Sequence, residues 1–181
     1  DNPKLKFHIN PEQVAANTPL GYMGQSWSKP TIAYVNWKGQ RKQVMFVGGG
    51  YDVGYEAQDY NQTNQTGAGV YMFDADNGNL LWWASANATD KNNTATENAL
   101  NVGDMKYSVV SRINVADRDG NGLVDHLYFG DLGGQVWRID LNANTATGNF
   151  AKRAIRILNL HQANGRSPRF YDAPSFSVYG Y

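Results

Sequence analysis

The run Asp117-Arg118-Asp119-Gly120-Asn121-Gly122-Leu123-Val124-Asp125 sets oxygen donors on alternate positions. Asp117, Asp119, Asn121 and Asp125 supply side-chain oxygens, and the Leu123 backbone carbonyl fills the remaining step. Calcium is a hard cation that takes six to eight oxygens at roughly 2.3–2.6 Å and mixes carboxylate, amide and carbonyl ligands. Gly120 and Gly122 let alternate side chains converge, because glycine tolerates positive φ. Three carboxylates this close repel one another unless a cation neutralises them. The competing reading is a solvated hairpin turn, since Asp, Asn and Gly also dominate turns without metal.

The first six residues fit the start of an EF-hand loop. A full EF-hand needs a bidentate Glu at loop position 12 and a helix on each side. Position 12 is Tyr128, and the flank Asp125-His126-Leu127-Tyr128-Phe129 is aromatic and strand-like. The expectation is an EF-like calcium loop between two β-strands, with Asp125 ligating directly.

The elements around the loop read as strands. Lys4–Ile9 alternates polar and apolar residues. Trp27–Val35, Gln43–Gly50, Val70–Asp74 and Asn79–Trp83 follow as strands, the last two joined by the Asn-Gly turn at Asn77-Gly78. Tyr107–Val115, Asp125–Gly130, Gln135–Leu141 and Ala154–Leu160 form a second series, and Phe170–Val178 opens a third. Residues 54–68 and 85–104 are Asn/Thr-rich insertions, the first read as an exposed loop, the second with room for a helical turn near Thr96–Leu100.

The series repeats. Val35-Asn36-Trp37-Lys38-Gly39-Gln40 through Gly49 lines up with Ala116 to Gly130, and Gly69–Asp74 with Gly134–Asp140. Blade-like repeats therefore cover about 26–83 and 107–160. The predicted fold is all-β, with propeller-type blades of four antiparallel strands, about two and a half in all. A two-repeat sandwich is the alternative. In the first repeat the positions matching Asp117, Asp119, Asn121 and Asp125 are Asn36, Lys38, Gln40 and Val44, so that turn carries no ligand set.

Composition narrows the function. The 181 residues suffice for one domain, and sixteen basic residues balance sixteen acidic ones. No basic excess points to nucleic acid. No apolar run approaches a membrane span. Cysteine is absent, which excludes disulfides, thiolate catalysis and cysteine zinc sites. His8, His126 and His161 are scattered singly, without zinc spacing. No nucleophile elbow or phosphate-binding glycine loop occurs. The opening Asp1-Asn2-Pro3-Lys4-Leu5 predicts a piece of a longer protein.

Ser26-Trp27-Ser28-Lys29-Pro30-Thr31, Phe46–Tyr51, Val70–Asp74 and above all Asp117–Asp125 followed by Leu127–Leu141 resemble the C-terminal propeller of the PilY1-type pilus biogenesis and adhesion proteins. The resemblance runs over most of residues 26–178. It implies a modified propeller exported by a Gram-negative bacterium, acting at the type IV pilus and cell surface or in the periplasm. It implies bound Ca²⁺ linked to pilus extension, retraction, twitching and adhesion, with Asp117, Asp119, Asn121, the Leu123 carbonyl and Asp125 as ligands. The implied partners are pilus proteins such as the minor pilins, and host surfaces. No Arg-Gly-Asp motif is present, so integrin binding is not carried over. Asp74–Trp82 also resembles the tryptophan docking motif of quinoprotein dehydrogenase propellers. That motif packs blades rather than catalysing, and the adjacent-cysteine pair common beside the quinone cannot exist here. The overall expectation is a non-catalytic calcium-binding module, with a quinoprotein enzyme and a purely structural, calcium-stapled domain as alternatives.

Overall fold

The computed structural model describes residues 2–25, 28–88, 98–143 and 148–177. Thr31–Trp37 (β1) and Gln40–Gly48 (β2) pair antiparallel around Lys38-Gly39. Both turn residues have positive φ, 52° and 80°, the two-residue geometry that suits strand twist. Val70–Asp74 (β3) joins β2, and Leu80–Ser85 (β4) returns along β3. Their turn is closed by Gly78 N–H on the Asp74 carbonyl at 2.8 Å and Asp76 N–H on Asp74 Oδ1 at 2.8 Å. A short strand, Ala99–Asn101 (β5), adds parallel to β4.

Asn114–Ala116 (β6), His126–Gly130 (β7), Gln135–Leu141 (β8) and Ala151–Asn159 (β9) form a second, wholly antiparallel sheet in chain order. The protein is thus all-β, with two antiparallel-rich sheets and no α-helix among the described residues. One buried cluster spans both sheets. Val35, Val44, Phe46, Met72 and Trp82 come from the first, and Leu127, Phe129, Trp137 and Ile139 from the second. Phe150, just before β9, wedges edge-on against Trp37 and Trp82, with ring centroids 5.5 and 5.2 Å away. A second cluster, Val47, Tyr71, Phe73 and Trp83, lies under Ile9, Leu20, Tyr22 and Met23 of the N-terminal segment.

Several expected strands differ. Lys4–Ile9 forms no strand, because no neighbour offers it a ladder. Instead Ile9 packs on the second cluster, and Lys6 Nζ reaches Asp76 at 3.1 Å. Of Tyr107–Val115 only the end enters β6. The backbone upstream is claimed by other loops: Gly50 N–H bonds to the Val109 carbonyl, Val109 N–H to Gly67, and Leu132 N–H to Ser108. Residues 170–177 form no strand either, so there is no third unit among the described residues. Phe170 N–H bonds to Asp131, and Phe176 stacks on Tyr128 at 4.7 Å.

The first insertion is not simply exposed. Tyr55 and Gln62 are buried, and their side chains bond at 2.9 Å. The helical turn expected near Thr96–Leu100 is replaced at Ala99–Leu100 by β5, and Thr96 and Glu97 lie outside the described residues. Ser26, Trp27, Val178, Tyr179 and Tyr181 also lie outside them.

Candidate metal centre

The nine residues Asp117–Asp125 connect β6 to β7. The loop is pinched at its neck, where Asp125 N–H bonds to the Ala116 carbonyl at 2.8 Å. Inside it the carboxylates organise the backbone. Asp117 Oδ1 accepts from Gly120 N–H at 2.8 Å and Asn121 N–H at 3.2 Å, and its Oδ2 accepts from Gly122 N–H at 2.7 Å. Asp119 Oδ1 accepts from Asn121 N–H at 3.1 Å, and Asp125 Oδ2 from Arg118 N–H at 2.6 Å. Gly120 and Gly122 sit at φ 72° and 83°, the left-handed region the turn requires.

Asp117, Asp119 and Asp125 each bring one carboxylate oxygen to within 4.8 Å of the others. Ligands at roughly 2.3–2.6 Å from a common cation lie at most about 5 Å apart, so the three oxygens fit one coordination shell. The cluster can hold a metal ion, and an all-oxygen set suits a hard divalent cation. Asp117 and Asp119 are exposed and Asp125 is half-buried, so the site opens to solvent.

The other two expected ligands lie in the same loop. Asn121 turns its amide oxygen to the Leu123 N–H at 2.8 Å and donates its amide nitrogen to Asp119 Oδ2 at 3.0 Å. Leu123 is half-buried within the loop. The three aspartates converge, and Asn121 and Leu123 adjoin them in the same loop.

The loop is not the counterpart of the first sheet's turn, residue for residue. Val44 lies inside β2 opposite Ala33, whereas Asp125 closes directly onto Ala116. The first sheet turns in two residues where the second uses a long loop. That first turn is consequently no metal-free control for the acidic loop.

Sequence reasoning did not single out the network beneath the loop. Asp140 is nearly buried and accepts from His126 Nδ1 at 2.9 Å, Arg138 Nε at 2.8 Å and Arg153 Nε at 2.7 Å. Burial alone would raise its carboxyl, but the hydrogen bonds from Arg153, Arg138 and His126 hold it below the usual carboxylate value. Leu141 N–H bonds to the Asp125 carbonyl at 2.8 Å, joining this network to the loop's last residue. A cleft of about 460 Å³ opens here, lined by Arg118, Asp119, Asp125, Asp140 and Arg153. Asp131 was also missed. It is fully buried and accepts four N–H bonds, from Gly133, Gln135 (backbone and side chain) and the Trp137 indole, at 2.9–3.1 Å.

No family model matches the chain, and no curated protein does. Among solved structures, the chain is similar to the C-terminal domain of Pseudomonas aeruginosa PilY1, at 24% identity and a TM-score of 0.41. The similarity covers 66% of this chain and 20% of that one, so the chain spans about a fifth of that neighbour's length.

Proposed function

We propose that this chain is a non-catalytic calcium-binding module of a type IV pilus biogenesis and adhesion protein, built from propeller-type blades. The observation that carries the metal reading is the convergence of Asp117, Asp119 and Asp125 oxygens to within 4.8 Å. The pilus context is supported by the residues of Asp117–Asp125 and Leu127–Leu141, which resemble the PilY1-type propeller. The blade reading is supported by four antiparallel strands in chain order in the second sheet and by the same run in the first, to which β5 adds in parallel.

A bound divalent cation supplies positive charge where three carboxylates converge. The chain's own residues do the rest. Asp117 and Asp119 fold the loop tip around their side chains, and Asp125 ties the tip to β6, β8 and the Arg118 amide. Loop order is linked to the seam between the sheets through Val124 N–H on the Tyr34 carbonyl at 2.9 Å. The partners of such an exported module would be pilus proteins such as the minor pilins or a host surface. Without a position-12 glutamate, calcium affinity is expected on the order of 10⁻⁶–10⁻⁴ M.

The test is a calorimetric calcium titration of chelator-stripped protein, with circular dichroism before and after. Saturable binding that Asp125→Ala abolishes without loss of the β spectrum supports the site. Absence of binding in the unaltered protein overturns it. The pilus assignment is tested separately, by twitching and pilus counts in cells whose parent protein carries Asp125→Ala.

A further inference from the structure

The two sheets have four edges, and three are short or covered. β5 and β6 have three residues each, and Asn114 on β6 donates to the Pro174 carbonyl at 2.7 Å. β1 gives its Tyr34 carbonyl to Val124 N–H at 2.9 Å. β9 is different: it has nine residues, and no strand pairs its outer edge among the described residues. An open edge offers backbone N–H and C=O groups to another chain.

The side chains say which chain that would be. Residues 151–160 carry Lys152, Arg153 and Arg156 and no acid. Lys152 is exposed, and Arg153 keeps 64% of its side chain exposed despite its bond to Asp140. Arg156 Nη1 donates to Gln135 Oε1 at 2.8 Å and also meets the exposed Asp104 at 3.4 Å, the latter contact worth little in water. Ile157 and Leu158 lie 53% and 39% exposed at the far end. Register steps against β8 leave Lys152 and Ile157 outside the ladder, bracketing the regular run Arg153–Arg156. Bulges of this kind re-aim side chains and bend the edge. Like charge opposes the laying of a second copy's β9 on the first, while the same charge favours an acidic strand.

We propose that the outer edge of β9 accepts an extended acidic segment of a partner protein as an added strand. Backbone bonds form along Arg153–Arg156, the partner's carboxylates face Lys152, Arg153 and Arg156, and its apolar residues cover Ile157 and Leu158. Lys152 and Arg153 also line the cleft beside Asp119 and Asp125, but the backbone edge of β9 is not part of the aspartate cluster and needs no metal to pair.

The test uses the whole chain in chelator, with a fluorescein-labelled peptide alternating Glu and Val and its Lys–Val counterpart. The expected result is saturable anisotropy for the acidic peptide only, weakened by salt, with slowed amide exchange over residues 151–159. Lys152→Glu removes an exposed cation with no partner among the described residues, and should weaken binding roughly threefold to tenfold. No binding, equal binding of the Lys–Val peptide, or protection confined to other residues overturns the proposal. So does sedimentation showing that β9 is occupied by a second copy.

Discussion

The backbone N–H of Val124 donates to the carbonyl of Tyr34 at 2.9 Å, so the acidic loop of the second sheet is bonded to the edge strand of the first. The same seam holds Asn36 Nδ2 on the Ala143 carbonyl at 2.8 Å and Thr31 Oγ1 on the Ile113 carbonyl at 2.6 Å. Charge repulsion in the loop is therefore felt by the junction of the two sheets, and so is its relief.

Asp119→Asn gives that link a sign. In chelator the substitution removes one of three converging negative charges while keeping an oxygen on the loop, so the melting temperature should rise. In saturating calcium the order should reverse, because the unaltered protein gains stability by mass action, about 2.7 kcal/mol when free calcium is 100-fold above Kd. Thermal melts of both proteins in both buffers read the crossover. Parallel behaviour in the two buffers would remove the aspartates from any metal role.

The loop glycines separate backbone strain from contact. A Cβ on Gly120 meets nothing within 4 Å, so Gly120→Ala pays only for its left-handed φ, about 1–2 kcal/mol. A Cβ on Gly122 comes to 3.0 Å from Arg41 Nη1, and that guanidinium sits 4.2 Å over the Tyr34 ring. Gly122→Ala should thus cost up to about 0.5–1 kcal/mol more, the scale of an exposed cation–π contact. Adding Arg41→Ala should bring the two variants level. Urea denaturation measures all four backgrounds, and equal costs with Arg41 in place would show that the guanidinium does not press on the loop.

The loop was legible because alternate oxygen donors and two glycines are a local signal. Val70–Asp74 and Gln135–Leu141 were legible to the residue, since both are short, largely apolar runs flanked by turn residues. What failed was pairing. Lys4–Ile9 has strand alternation but no partner, and Tyr107–Ile113 has strand composition but gives its backbone to Gly50, Gly67 and Leu132. Both outcomes are set by distant residues that no local pattern names. The residue-by-residue match of the two turns failed for a related reason: equal spacing in sequence hid a two-residue turn in one sheet and a long loop in the other.

Two tryptophans should answer differently to the same substitution. Trp82 is fully buried, and its indole N–H has no acceptor among the described residues. Trp82→Phe removes an unsatisfied donor along with some packing, so it should cost less than about 1.5 kcal/mol. The Trp137 indole donates to Asp131 Oδ2 at 3.1 Å. Trp137→Phe leaves a buried carboxylate one donor short and should cost about 1–3 kcal/mol more than the Trp82 change. Denaturant midpoints decide the order, and similar costs would mean that the indole bond to Asp131 adds nothing.

Asp131 and Asp140 should pull the pH dependence of stability in opposite directions. Burial pushes the Asp131 carboxyl up to about 6, with the N–H donors of Gln135, Trp137 and Gly133 pulling the other way. Its contribution is fully present below about pH 4, the unfolded value, and is lost as pH rises through 6. The shift of about two pH units corresponds to roughly 3 kcal/mol at most. Asp140, held below its usual value, contributes stability above about pH 4 that is lost in acid. Asp131→Asn should therefore flatten the decline between pH 4 and 6 while leaving the acid limb, even though its amide nitrogen faces donors and lowers stability throughout. Asp140→Asn should shrink the acid limb and leave the decline. Urea midpoints from pH 3 to 8 test both. If the decline between pH 4 and 6 is missing in the unaltered protein, the four donors outweigh burial and Asp131 is ionised in the folded state across that range.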